Sequence, residues 1–229
     1  ILLRFQIRSK TDVDVHLAYE TAEEVLLDGK PISLEQDGWF TDRHIFTAPL
    51  PRLAAGEHML TVKVPFGKRE SLENFFLLGE FDVVLRGIEA ELVPSAETYG
   101  FGDLSSQGMP FYGGPVTYEL PFDLEKTASL TLFAQRFRGT VLTASLDGAP
   151  CGTIAFSPYR LTLGEVQAGR HLLTVTVWLS RENSFAALHN LTGDCYKGGK
   201  YWLPSGDGFA YEYQLSESGL MVSPRLEIR

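Results

Sequence analysis

The sequence predicts an all-β protein built from two tandem antiparallel β-sandwiches. Short segments alternate apolar and polar side chains with the period of two that a half-buried strand requires. No segment of about eleven residues or more keeps the i, i+3, i+4, i+7 apolar stripe of an amphipathic helix. Glycine and proline, present 22 and 12 times, separate these segments at intervals typical of sandwiches or barrels.

The predicted strands follow one another along the whole chain. In chain order the alternating or apolar segments are residues 3–8, 13–17, 25–27, 59–66, 75–81, 117–122, 130–133 and 173–179. In the segment 59–66, for example, Leu60 and Val62 share one face while Thr61 and Lys63 share the other. We interpret residues 75–81 as the last strand of the first sandwich, which places the two domains at 1–86 and 87–229.

Three short motifs occur twice in the same order, which supports the count of two domains. Leu-Asp-Gly-x-Pro recurs at 27–31 and 146–150, Gly-x-His-x-Leu-Thr-Val at 56–62 and 169–175, and Glu-Asn at 73–74 and 182–183. Each Asp-Gly pair supplies the positive φ values that a tight hairpin turn needs. Each Gly-x-His opens the next long strand, so we expect a structural role for His58 and His171.

Charge and composition exclude several classes of partner. The chain has 20 basic and 29 acidic side chains, a formal net charge of −9, and no basic stripe. Nucleic acid and anionic membranes are therefore poor partners. No apolar run approaches the roughly 18 residues of a membrane span. Because the chain begins with Ile1 rather than Met, we expect it to be a piece of a longer polypeptide, and its compartment is left open.

Three segments resemble the β-sandwich regions of large bacterial glycoside hydrolases. Residues 72–83 are similar to a strand of those proteins, and residues 102–118 are similar to their G-D…Q-G-x-P-F-Y-x-G-x-x-x-Y segment. Residues 180–189 resemble a third motif, S-x-R-N-x-x-G-P-x-H, although Glu182 stands where Arg is expected and Ala186 and Ala187 replace Gly-Pro. The family is that of α-L-rhamnosidase-like or family 2-like glycoside hydrolases.

The resemblance implies a galactose-binding-like, jelly-roll fold and an accessory role without catalytic residues. The chain would pack against, or support, a catalytic barrel of the same polypeptide that lies outside it. The alternative is a carbohydrate-binding module that recognises plant or host glycans through loop aromatics. A self-sufficient enzyme is the least favoured reading, because no nucleophile motif such as G-x-S-x-G occurs and 29 acidic residues do not by themselves define a catalytic pair.

The carbohydrate-binding alternative predicts exposed rings, because sugar C–H faces pack on aromatic side chains. The candidates are Trp39, Phe111, Tyr112, Trp178, Tyr201 and Trp202, together with Asn183 and His189 from the third motif. Trp178 stands apart, since it falls opposite the apolar face of its strand, beside Thr174 and Thr176. The competing interpretation is that most of these rings fill the sandwich cores.

The sequence contains few features typical of metal or thiol chemistry. The sequence contains no H-E-x-x-H, C-x-x-C or EF-hand pattern, so we expect no cofactor other than a structural Ca²⁺, with Asp103 or Asp207 as candidate ligands. Two cysteines, Cys151 and Cys195, do not make a disulfide framework. They are either free thiols or one bridge.

Overall fold

The structure is a computed structural model that describes residues 1–67, 74–191 and 205–228. It divides into two compact units, Ile1–Glu97 and Thr98–Arg229. Strands and short turns account for nearly all of the described secondary structure, which confirms the prediction of an all-β fold. None of the described helices has the length and apolarity needed to cross a membrane.

The first unit consists of two sheets that share one core. Its strands are β1 (Leu2–Ser9), β2 (Val15–Tyr19), β3 (Glu24–Leu27), β4 (Lys30–Ile32), β5 (Gly38–Trp39), β6 (Phe46–Pro49), β7 (Gly56–Lys63), β8 (Phe76–Gly79), β9 (Asp82–Arg86) and β10 (Glu89–Val93). One sheet has the order β4-β3-β7-β1-β10-β9 and the other has the order β5-β6-β2-β8. Buried side chains of both sheets, such as Leu17 and Val62, belong to one cluster, so the sheets pack face to face.

The domain boundary and the direction of one strand pair differ from the expectation. The sequence places residues 87–97 in the second domain, whereas the structure places them in the first unit. Strand β10 pairs antiparallel with β9 and parallel with β1, where Ser9 lies opposite Leu92. The side chain of Leu92 is buried in the first core, and this long-range pairing is not visible in the local pattern.

The second unit repeats the sandwich principle with longer connections. Its elements are a 3-10 turn (Leu104–Gln107), β11 (Pro115–Leu124), β12 (Ala128–Phe133), β13 (Phe137–Arg138), β14 (Val141–Leu146), β15 (Ala149–Ile154), β16 (Arg160–Val166), β17 (Gly169–Trp178), α1 (Glu182–Phe185), β18 (Gly219–Leu220) and β19 (Arg225–Ile228). The sheets have the orders β11-β17-β14-β15, β16-β12-β19 and β13-β18. Leu132 of β12 and Val175 of β17 share one buried cluster, so the sheets again pack together.

The two Asp-Gly turns have the backbone that the sequence predicts. Asp28 and Gly29 have φ values of 50° and 76° between β3 and β4, and Asp147 and Gly148 have 48° and 82° between β14 and β15. Two consecutive positive φ values define the hairpin turn whose twist matches that of the flanking strands. The prediction of tight hairpins at both positions is therefore confirmed.

Strand β17 provides the frame for the candidate site. Leu173, Val175 and Val177 are buried in the core of the second unit. Successive side chains of a strand point to opposite faces, so Thr174, Thr176 and Trp178 point outward. This is the orientation that the sequence predicts for Trp178, whose side chain is 46% exposed.

Candidate functional site

A row of four threonines crosses the outward surface of the sheet β11-β17-β14-β15. Thr117 lies opposite Thr176, Thr176 lies opposite Thr143, and Thr143 lies opposite Thr153. Residues directly opposite each other on neighbouring strands share one face of the sheet, so all four hydroxyls point outward. We call this set the threonine row.

Two flanking rows complete this surface, which we call the threonine face. On one side lie Pro115, Trp178 and Val141, and on the other lie Glu119, Thr174, Ser145 and Pro150. Several of these side chains, Ser145 and Thr174 among them, line a depression of about 270 Å³ together with members of the threonine row. The threonine face thus combines six hydroxyl groups with one large ring.

The hydroxyls and the ring are joined by hydrogen bonds. The Oγ1 atoms of Thr117 and Thr176 lie 2.9 Å apart. The indole Nε1 of Trp178 donates to Oγ1 of Thr143 over 3.4 Å. The indole therefore leans across towards β14 and keeps its edge over the threonine row, with nearly half of the side chain exposed.

Tyr112 supplies a second ring near the Trp178 end of the threonine face. Its side chain is 44% exposed and its hydroxyl donates to the carbonyl oxygen of Pro115 over 3.2 Å. Pro115 lies directly opposite Trp178. A Cβ added at Gly114 would lie 2.6 Å from Cζ of Tyr112, so a glycine is needed where the ring folds back over the chain. Tyr112 and Trp178 thus both flank Pro115.

Three other predicted residues, Asn183, His189 and Phe111, make internal contacts. The amide of Asn183 donates to the carbonyl of Ser216 and accepts from its backbone N–H, both over 2.9 Å. His189 packs 4.3 Å from the Tyr213 ring, and Phe111 packs edge-on at 5.4 Å from the same ring. Burial raises the pKa of Tyr213. These residues hold the segment that contains Tyr213 and Ser216.

The candidate Ca²⁺ ligand Asp103 is also engaged by the protein itself. One carboxylate oxygen accepts from the backbone N–H groups of Ser105 and Ser218, both over 3.0 Å, and the other accepts from the Ser105 hydroxyl. Asp207 is exposed in a turn. Within the described part of the chain, no group of three or more His, Cys, Asp or Glu side chains could hold a metal ion.

The motif that contains Asp103 anchors the C-terminal segment. Gly102 N–H donates to the Leu220 carbonyl over 2.8 Å, and the hydroxyl of Tyr118 accepts from the Leu220 N–H over 3.1 Å. Burial raises the pKa of Tyr118. The 102–118 segment therefore joins the start of β11 to residues 218–220.

The remaining predicted residues do not belong to the threonine face. Trp39 lies in the first unit on the edge strand β5, where its side chain is 57% exposed. Tyr201, Trp202 and Cys195 fall outside the described residues. Cys151 is a free thiol whose Sγ lies 3.5 Å from the carbonyl oxygen of Ala149.

A second concavity, of about 390 Å³, lies in the first unit. Among its lining residues are Tyr19, Glu20, Glu23, Glu24, Gln36 and Phe46. The Nζ atom of Lys63 lies 3.0 Å from Glu23, so part of this acidic lining is neutralised within the protein. The sequence patterns do not single out this groove.

The fold and the threonine face define an all-β protein of packed sheets with an open surface of hydroxyls and rings. No protein-family profile and no curated protein matches the chain. Among solved structures, a rhamnosidase from Novosphingobium sp. PP1Y is similar, with 19% identity and a TM-score of 0.39 over 98% of this chain and 22% of that one. A GH2 beta-galacturonidase from Eisenbergiella tayi, bound to glycerol, has 14% identity and a TM-score of 0.22 over 78% of this chain and 28% of that one.

Proposed function

We propose that this chain is a non-catalytic accessory β-sandwich region of a larger glycoside hydrolase. The residues that resemble such regions support the proposal, because they make fold-defining contacts. Gly102, Asp103 and Tyr118 anchor residues 218–220, and Asn183 binds Ser216. Residues whose hydrogen bonds hold distant segments together in this way serve the architecture of the region rather than a reaction.

Two roles are open to an accessory region of this kind. In the first, it packs against a catalytic barrel of the same polypeptide and supports it. In the second, it binds carbohydrate itself, and a specific observation favours this role: Trp178 lies exposed beside a row of four outward threonines. A ring for the sugar C–H face and hydroxyls for its polar edge are the two kinds of group that a sugar contacts.

The accessory role is tested on the polypeptide to which the chain belongs. We expect the flanking coding sequence to specify a glycosidase catalytic domain, and we expect that domain to unfold at a lower temperature when the chain is deleted. A flanking sequence without a catalytic domain would contradict the accessory role. So would hydrolysis of aryl glycosides by the purified chain alone.

The carbohydrate-binding role is tested by calorimetry of the purified chain against a panel of soluble glycans. We expect at least one glycan to release measurable heat with the wild type, and a clearly weaker signal with Trp178→Ala. Trp39→Ala is the matched control, since it removes an exposed indole from the first unit. Equal affinities of the wild type and Trp178→Ala would exclude the threonine face as the site.

A further inference from the structure

We propose that the threonine face binds a neutral, extended glycan chain that lies across the strands. One sugar ring stacks on Trp178 while hydroxyl groups of the chain follow the threonine row. The inference rests on the carbohydrate-binding role proposed above and adds the charge and the shape of the ligand. Neither property follows from the fold alone, because one fold hosts many unrelated sites.

The polar lining has the chemistry of another polyol. A threonine hydroxyl donates one hydrogen bond and accepts others, so it can match either end of a sugar hydroxyl. The pair Thr117 and Thr176 already exchanges such a bond over 2.9 Å. Charged recognition would instead use fixed donors such as Arg or fixed acceptors such as Asp. The four side chains of the threonine row offer hydroxyl and methyl groups rather than charged groups.

The ligand is neutral because the threonine face is nearly so. Across the threonine row and its two flanking rows, Glu119 is the single charged side chain. An anionic polymer would meet this carboxylate and the net charge of −9. Arg170, further along the outward side of β17, already lies opposite Asp123. The experiment below therefore includes an anionic glycan.

The ligand is extended because the threonine row is long and open. Its members lie on four adjacent strands, which at the usual spacing places Thr117 and Thr153 roughly 14 Å apart. This distance exceeds the width of one sugar ring. A depression of about 270 Å³ covers part of the row and is lined by residues of three neighbouring strands. A row that is longer than one sugar ring and open to solvent suits several consecutive units of a chain.

Affinity electrophoresis of the whole chain tests the charge of the ligand. Native gels contain one of several neutral polysaccharides (galactan, xylan, mixed-linkage β-glucan or galactomannan) or polygalacturonate. The samples are the wild type, Trp178→Ala and the matched control Trp39→Ala. We expect a neutral polymer to retard the wild type and the control equally, and to bind Trp178→Ala about tenfold more weakly.

The outcomes separate this inference from the function on which it rests. Retardation by polygalacturonate alone, still reduced in Trp178→Ala, would overturn the neutral ligand but keep the carbohydrate-binding role. Absence of retardation by every polymer, or equal retardation of Trp178→Ala and wild type, would overturn that role itself. Calorimetry with fragments of the retarding glycan tests the shape: affinity must rise from the monosaccharide to the tetrasaccharide. Equal affinity for both would overturn the extended chain.

Discussion

The Nδ1 atom of His58 lies 2.8 Å from Oδ2 of Asp28, and the other ring nitrogen lies 2.8 Å from the carbonyl oxygen of Ala54. Both partners are acceptors, so the ring satisfies both only when each nitrogen carries a proton. The geometry therefore selects the imidazolium form. It joins the first Asp-Gly turn to the start of β7.

The second unit contains the same arrangement. Nδ1 of His171 lies 2.7 Å from Oδ2 of Asp147, and Nε2 lies 2.9 Å from the carbonyl oxygen of Gln167. In both units the second carboxylate oxygen accepts from the backbone N–H of the residue after the histidine, over 2.8 Å at Met59 and 2.9 Å at Leu172. We call each arrangement a histidine clamp.

The first prediction concerns the pH dependence of stability. The pKa of His58 and that of His171 are both raised. The largest cause in each case is the hydrogen bond with the aspartate, and the second largest is the hydrogen bond with the backbone carbonyl oxygen. Because the folded pKa is raised, this stabilisation is complete below the unfolded value of about 6.5 and is lost as the pH rises through the folded pKa. Urea unfolding between pH 6 and pH 9 should show a falling free energy of unfolding.

The aspartates add a second limit at acid pH. The hydrogen bond from histidine is the largest cause that lowers the pKa of Asp28 and Asp147. Their contribution is present above about pH 3.9 and is lost as the pH falls through the lowered folded pKa.

The control for the decline above pH 6.5 is the double variant His58→Gln with His171→Gln, in which that decline should be flatter. An unchanged slope in that variant would contradict the clamps.

The second prediction concerns Asp103. Asp103→Ala removes the acceptor of two backbone N–H groups, and we expect the free energy of unfolding of the second unit to fall by about 1–2 kcal/mol. Asp103→Asn keeps an acceptor oxygen and should lose less. The exposed Asp207→Ala is the control, expected within about 0.5 kcal/mol of the wild type. Equal effects of Asp103→Ala and Asp207→Ala in urea unfolding would refute this account of Asp103.

The third prediction separates structure from ligand binding at Asn183. Asn183→Ala leaves two backbone groups of Ser216 without their partner, at a cost of about 2–3 kcal/mol. The control is the exposed Gln214, whose side-chain amide donates to the carbonyl oxygen of Glu212, and Gln214→Ala should cost less than about 0.5 kcal/mol. Glycan retardation of folded Asn183→Ala should equal that of the wild type. Lost retardation with unchanged stability would instead restore Asn183 as a ligand-binding residue.

The local patterns predict the strands well, because alternation and turn chemistry are local properties. The buried Leu173, Val175 and Val177 and the positive φ of Asp28 and Asp147 are examples. The parallel pairing of β10 with β1 joins residues far apart in the sequence, so the local pattern does not predict it. Without that pairing, the sequence places the domain boundary after residue 86, whereas the structure places it after residue 97. Length and pattern alone do not say which distant strand completes a sheet.

The candidate site could be predicted only in part. The outward orientation of Trp178 follows from the alternation of β17 alone. The threonine row depends on the register of four strands, which includes a shift between Ala144 and Ser145, and no local signal carries it. The carbohydrate-binding alternative places Asn183 and Phe111 against sugar, whereas the structure shows both in internal contacts. The two differ because the residue types that bind sugars also build internal networks. Sequence composition cannot separate the two uses.

The fourth prediction distinguishes the threonine row from a structural feature. Thr176→Val replaces a surface hydroxyl by a methyl group of similar shape on a strand, where valine is favoured. We expect the melting temperature to stay the same or rise while glycan affinity falls. Thr61→Val, at an outward position of β7 in the first unit, is the control and should leave the affinity unchanged. Equal affinity of Thr176→Val and the wild type would remove Thr176 from the site.

Fluorescence of Trp178 tests most directly the claim that the threonine face contacts carbohydrate. With Trp39 and Trp202 changed to Phe, Trp178 is the single indole of the chain. Addition of the glycan that retards the protein should shift the Trp178 emission to shorter wavelength and reduce its quenching by acrylamide, because a stacked sugar removes water from the ring. Unchanged emission and quenching, while the same variant is still retarded by that glycan, would place the carbohydrate elsewhere and contradict the claim.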